Sequence, residues 1–130
     1  MPRIETPEDA AATVDYWVSQ GATSFKVYEH TSRAQLAATI ARAHARGLRV
    51  TGHICAVTYR EAAEAGIDNL EHGFWEPSDF VANRTPDTCT PLPLRIRSLN
   101  ALDPEGPEVG ELSRLLIERR VALTATLGIF

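Results

Sequence analysis

Residues 21–75 read GATSFKVYEHTSRAQLAATIARAHARGLRVTGHICAVTYREAAEAGIDNLEHGFW, and the fold follows from the rhythm of this stretch. A β-rich run, Ser24-Phe25-Lys26-Val27-Tyr28, gives way at Thr31 and Ser32 to the helix-forming RAQLAATIARAHAR, which stops at Gly47. The order then repeats, with a strand from Arg49 to His53, a helix from Val57 to Ala65 ended by Gly66, and a strand from Asn69 to His72. A hydroxyl residue ahead of a helix caps its free N–H groups, and glycine stops it cheaply. Strand, helix and glycine alternating at this pitch predict βαβ units, hence a parallel sheet with right-handed crossovers. Leu36, Ile40 and Ala43 form the packing face of one crossover helix, and Tyr59, Ala62 and Ala63 that of the next.

Upstream, Thr6 precedes Pro7, Glu8 and Asp9, a helix start that predicts a helix over 6–20 ended by Gly21. Downstream the rhythm breaks. From Phe74 to Pro107 the chain carries six of its eight prolines without clean periodicity, which predicts a long lid-like loop over 74–107. A helix over 108–120 and a strand over 121–127 follow. The expectation is an α/β chain of four strands and four helices, a single partial barrel domain spanning residues 1–130. A complete (β/α)₈ TIM barrel needs roughly 250 residues, so about four parallel βα units fit here.

The composition, 44% hydrophobic and 23% charged, is that of a folded domain. Thirteen basic residues stand against seventeen acidic ones, a net charge of −4, with no basic run. That pattern argues against nucleic acid and anionic membranes as partners. Twelve of the basic residues are arginines, so Lys26, the single lysine, stands out. Cys55 and Cys89 lack any metal-finger spacing and are expected as two reduced thiols, Cys55 acting as a small buried hydrophobe. No segment is apolar enough to span a membrane, and MPRIETPEDAA lacks the apolar core of a secretory signal. The expectation is a soluble chain, with the cytoplasm favoured, although targeting information could lie outside a central piece.

In α/β barrels the reactive groups stand at the C-terminal ends of the strands. Here three successive strands offer Lys26, His53 and His72. A lysine between Phe25 and Val27, in a segment expected to be buried on both faces, is costly as an ammonium. As a neutral amine it can add carbon dioxide to give a carbamate, an anionic oxygen ligand. Two histidine nitrogens, one such oxygen and a position open to water make the protein complement of a catalytic zinc site, and that metal brings the pKa of water to about 7. Tyr28 and His30 follow Lys26 at even spacing, which places both toward the barrel mouth as candidate substrate contacts. Glu71, adjacent to His72 in a strand, is expected to point the other way, toward an arginine on the helix layer.

Residues 21–75 resemble the middle of the metal-dependent amidohydrolase superfamily, nearest its imidazolonepropionase-like and Xaa-Pro dipeptidase-like members. The resemblance rests on FKVY with Lys26, VTGH with His53 and LEHG with His72, and more loosely on VALTATLGIF, where relatives usually carry Pro-Thr-Leu. It implies barrel strands four to seven, a carbamate on Lys26, and His53 and His72 as ligands of a divalent metal, zinc first. It also implies hydrolysis of C–N bonds in small amide, cyclic amide or dipeptide-like substrates. The superfamily's first-strand His-x-His and its aspartate after strand eight have no counterpart here, so no catalytic residue is assigned and the chain alone is expected to be inactive.

Blander readings stand beside these. Lys26 can be a snorkelling surface lysine, Tyr28 a packed ring and His30 a solvated loop residue. His44 reads as a surface or helix-packing residue. Arg84, Arg95 and Arg97 could meet a substrate carboxylate, but a solvated face is the default. Phe74, Trp75 and Phe80 read as a substrate wall or as a plug. The rival to a hydrolase segment is a non-catalytic half-barrel that binds metal or a partner chain, since open sheet edges invite self-association. A metal-free barrel enzyme with Lys26 acting as an amine ranks last.

Overall fold

A computed structural model describes residues 4–126. It contains helix α1 (Pro7–Ser19), strand β1 (Ser24–Val27), α2 (Arg33–His44), β2 (Arg49–Gly52), α3 (Tyr59–Ala65) and β3 (Asn69–Glu71). A short 3₁₀ turn (Gly73–Trp75), α4 (Leu92–Asn100), α5 (Pro107–Glu118) and β4 (Ala122–Thr124) complete it. The strands form one parallel sheet in the order β1-β2-β3-β4. Parallel strands in chain order with intervening helices are compatible with an arc of a TIM-like barrel.

Local chemistry sets the boundaries. Thr6, Ser32 and Thr58 each accept the N–H of the residue three positions on, while the side chains of Asp9, Gln35 and Glu61 reach back to the caps. Gly66 ends α3 at φ +93°, where a Cβ is penalised. The sheet face against the helices is apolar: Val27, Val50 and Leu70 lie under Leu36, Ile40 and Ala43 of α2 and under Tyr59, Ala62 and Ala63 of α3, all in one buried cluster. The packing faces expected of both helices are those observed. Gly52 sits where an added Cβ would come within 2.8 Å of Ile67 and 2.9 Å of Ile54. Only glycine lets β2 and its neighbours close up there.

The opposite sheet face is polar. The register aligns Lys26 with Thr51, Thr51 with Asn69, and Glu71 with Thr124. Asn69 donates to Thr51 at 2.7 Å, Thr51 to Glu71 at 2.8 Å, and Thr124 to Asn69 at 2.9 Å. A ladder of side-chain hydrogen bonds thus crosses the sheet on the side where a closed barrel would have its interior.

The chain between β3 and α5 departs from the expected loop. A helix, α4, interrupts it, because prolines at the first helical positions are tolerated and Pro91 and Pro93 sit at its start. Its buried residue is Arg95, so the usual apolar stripe is missing. The two cysteines are also not free thiols. The segment from the 3₁₀ turn through α4, residues 73–100, folds back as a strap until Cys55 and Cys89 stand 4.7 Å apart at Cα and pair as a disulfide. Ser78 donates to the Cys55 carbonyl and Arg84 to that of Ala56. The Asp79 carboxylate accepts the N–H groups of Tyr59 and Arg60 at 2.8 and 3.0 Å, and burial pushes its carboxyl above the usual range against those donors. Phe74 and Phe80 pack on the core, whereas Trp75 is exposed. The end of the expected last strand, from 127 on, lies outside the described residues. Among the described residues no helix is long and apolar enough to cross a membrane.

Candidate metal centre

His53 follows β2 and His72 follows β3, so both leave the sheet at its C-terminal edge. Their rings meet edge to face with centroids 4.4 Å apart. The backbone around each is held. His53 donates its N–H to the Val27 carbonyl at 3.1 Å, and Ala56 donates to that of Glu29 at 2.8 Å, which ties the exits of β1 and β2 together. His72 takes a left-handed conformation, φ +67°, that ends the strand alternation. The buried Tyr59 hydroxyl lies 2.9 and 2.8 Å from the carbonyl oxygens of Glu71 and Gly73, on either side of His72. Burial, followed by nearby Glu76 and Asp79, raises the pKa of that phenol and keeps it a donor. The Nδ1 atom of His72 lies 3.1 Å from Thr126 Oγ1.

Lys26 is not buried on both faces: its side chain is 44% exposed, and its amine lies 3.8 Å from Glu71 Oε1. The open sheet face explains this, because among the described residues no further strand covers it. The burial on both faces from which the carbamate was argued is therefore not what the described residues show. Glu71 points to this same face, toward Lys26 and Thr51, and not to an arginine of the helix layer. The face expected for Glu71 was the wrong one, and strand alternation did not govern the pair, because His72 lies past the end of β3 in a left-handed conformation.

Tyr28 is exposed and connects the parts, its ring 5.1 Å from that of His53 and 5.9 Å from the Lys26 amine. Together with Lys26, His30, Phe25, Trp17 and Gln35 it lines a cleft of about 460 Å³ between α1, β1 and α2. His30 is exposed on that lining. His44, as expected, is a surface residue, with Nε2 2.9 Å from Asp68.

Two residues at the centre, Glu29 and Glu76, were not singled out from the sequence, and a third, Arg95, was expected on a solvated face but is buried. Glu29 follows β1 and Glu76 follows the 3₁₀ turn, and each brings a carboxylate oxygen toward His53 Nε2, at 3.6 and 3.8 Å. Arg95 from α4 closes the group. It donates to the Glu76 carboxylate, to the Glu76 carbonyl at 3.2 Å and to the Thr90 carbonyl at 3.1 Å, and lies 3.6 Å from Glu29. Arg84 and Arg95 are largely buried and bound inside the protein, whereas Arg97 is exposed as expected. A residue past a strand end escapes alternation, which hid Glu29, and Glu76 and Arg95 lay within what read as a loop.

The donors fit a divalent cation at one point. His53 Nε2 is buried without a hydrogen-bond partner, and Glu29, His53 and Glu76 each offer a ligand atom within 4.8 Å of the others. Imidazole nitrogen and carboxylate oxygen are standard zinc ligands.

No protein-family model matches the sequence. No curated protein matches it either. Among solved structures, an amidohydrolase superposes with a TM-score of 0.60 at 18% identity, covering 95% of this chain and 26% of its own. An uncharacterized protein superposes with a TM-score of 0.50 at 14% identity, covering 93% of this chain and 38% of its own. A protein from Bifidobacterium longum, provisionally assigned as a prolidase, aligns at 27% identity over 56% of this chain and 21% of its own. Its TM-score of 0.48 is too low to establish a shared fold. The first two likenesses establish a fold shared with larger proteins, of which this chain spans about a quarter to two fifths.

Proposed function

We propose that the chain is a central piece of a metal-dependent hydrolase that cleaves C–N bonds of small amide, cyclic amide or dipeptide-like substrates. The observation that carries this reading is the meeting of His53 and His72, from the ends of adjacent parallel strands, at 4.4 Å between ring centroids. The likeness in fold to an amidohydrolase supports it. A divalent ion at such a centre, zinc first, supplies Lewis acidity and brings the pKa of water to about 7.

In this reading His53 and His72 are metal ligands. The resemblance adds Lys26, as a carbamate, to the set, and for that role its side chain would have to leave Glu71. Tyr28, between the cleft and His53, orients the substrate, and His30 contacts its distal part. The strap carrying Phe74 and Phe80 keeps one side of the site dry. The His-x-His pair and the base that orients water come from elements outside these residues, so the chain alone is inactive. The open polar sheet face and the edges of β1 and β4, which pair with no further strand among the described residues, would receive those elements, or a second copy of the chain.

The test joins the reading frames on either side of this segment to a hydrolysis assay on the polypeptide they encode. A His-x-His upstream and a strand-end aspartate downstream, with amide cleavage lost on chelation and regained with zinc, is the expected result. Stop codons on both sides, or cleavage indifferent to chelation, overturn it.

A further inference from the structure

We propose that Glu29, His53 and Glu76 form the divalent-cation site, with the oxygen donors beside His53 supplied by the two glutamates and Arg95 acting as a built-in counter-ion. This rests on the metal-dependent reading above and keeps His53, but takes the oxygen ligands from two other segments, the exit of β1 and the end of the 3₁₀ turn, in place of Lys26, and leaves His72 beside the site and not in it.

The distances suit an ion. A tetrahedral zinc with bonds of about 2.1 Å holds its ligand atoms about 3.4 Å apart, and His53 Nε2 lies 3.6 Å from Glu29 Oε1 and 3.8 Å from Glu76 Oε1. Those separations are too long for hydrogen bonds, so the buried nitrogen is orphaned while facing two carboxylates. A buried polar atom without a partner is costly, and a cation placed between the three groups removes that cost.

Arg95 explains how the carboxylates stay in place without metal. Its side chain is 4% exposed, and it binds the Glu76 carboxylate through Oε2, leaving Oε1 turned toward His53. Its second terminal nitrogen lies 3.6 Å from Glu29. A guanidinium behind ligating carboxylates balances charge and fixes their orientation. The disulfide and the strap hydrogen bonds fasten the segments that carry Glu76 and Arg95.

Lys26 has other duties. It is paired with Glu71, whose carboxylate Thr51 also holds, so the polar ladder fixes the acidic end of that pair. A site built on Glu29 and Glu76 needs neither carbon dioxide nor a neutral lysine.

The experiment is zinc titration of the full chain by calorimetry, with cobalt(II) substitution read by visible absorption. Each is run in ordinary buffer and in buffer purged of bicarbonate. One ion per chain, unchanged on purging, and at least tenfold weaker binding in Glu29→Gln with an unchanged circular dichroism spectrum, are expected. Glu76→Gln should weaken binding likewise; if that variant unfolds, Glu29→Gln alone decides. Absence of binding, binding that needs bicarbonate or is lost in Lys26→Ala, or full affinity in Glu29→Gln overturns the site. The amide-cleavage assay, run on the polypeptide encoded by the joined reading frames because the chain alone is inactive, separates the two readings. A glutamate-dependent ion without cleavage sinks the hydrolase and leaves this site, whereas bicarbonate-dependent metal with cleavage does the reverse.

Discussion

The βα layer and the strap from the 3₁₀ turn through α4 are held by opposite means. In the layer, apolar side chains recur at helical and strand spacing and bury one another, as Leu36, Ile40, Val50 and Leu70 do. In the strap the fasteners are polar or covalent: Arg95 on Glu76, Asp79 on the start of α3, Ser78 and Arg84 on carbonyls after β2, and Cys89 on Cys55. Burial of apolar area tolerates small shifts, whereas a buried ion pair fails when either partner is lost. The strap should therefore be the more brittle region, although it packs fewer apolar groups.

The sharpest break of that contrast is Arg95→Ala. It leaves Glu76 and Glu29 without their cation, and losing one partner of a buried pair costs about 3–5 kcal/mol. Urea unfolding should show this, and added zinc should recover part of it; a loss below about 1 kcal/mol would mean that the strap does not depend on its charges. Next comes Cys89→Ser. The disulfide spans 34 residues of sequence, and the chain-entropy account gives such a loop roughly 4 kcal/mol of stabilisation. The midpoint should fall, and a reducing agent should lower the parent chain to the same value while leaving the variant unmoved.

The layer is probed by Gly52→Ala, whose Cβ would come within 2.8 Å of Ile67. Overpacking of this kind costs about 1–3 kcal/mol, and the shift of β2 should also weaken zinc binding through His53. A variant as stable as the parent would show more slack in the layer than its packing implies. The smallest effect belongs to Asp87→Asn. The Arg33 guanidinium, by hydrogen bonding first, holds the Asp87 carboxyl below its usual range. Since the folded value lies below the unfolded 3.8, the pair contributes above that pH, and its contribution fades as pH falls through the folded value. On this exposed pair it amounts to less than about 1 kcal/mol. Stability curves of variant and parent should converge in acid, and a gap that persists there would assign the effect to something other than the ion pair.

Much of the layer was legible because its signals are local. Ser32 and Thr58 cap helices through atoms three residues away, Gly66 ends one through its own φ, and the faces of α2 and α3 follow from spacing within each helix. The C-terminal location of His53 and His72 was legible too, since strand ends in βαβ units collect on one edge. Illegible were α4, whose buried residue is an arginine, and the pairing of Cys55 with Cys89 across the strap. The exposure of Lys26 was hidden for a related reason: alternation gives two faces but not whether anything covers the second.

By itself, then, the sequence determined the order of strands and helices in the βα layer, the caps of α2 and α3 and the face each of these buries, because those depend on contacts within a few residues. Only the tertiary structure decided which charges meet. Glu29, His53, Glu76 and Arg95 come from four separate segments. Their convergence depends on how the strap closes over the strand ends, a long-range event with no local periodicity to announce it.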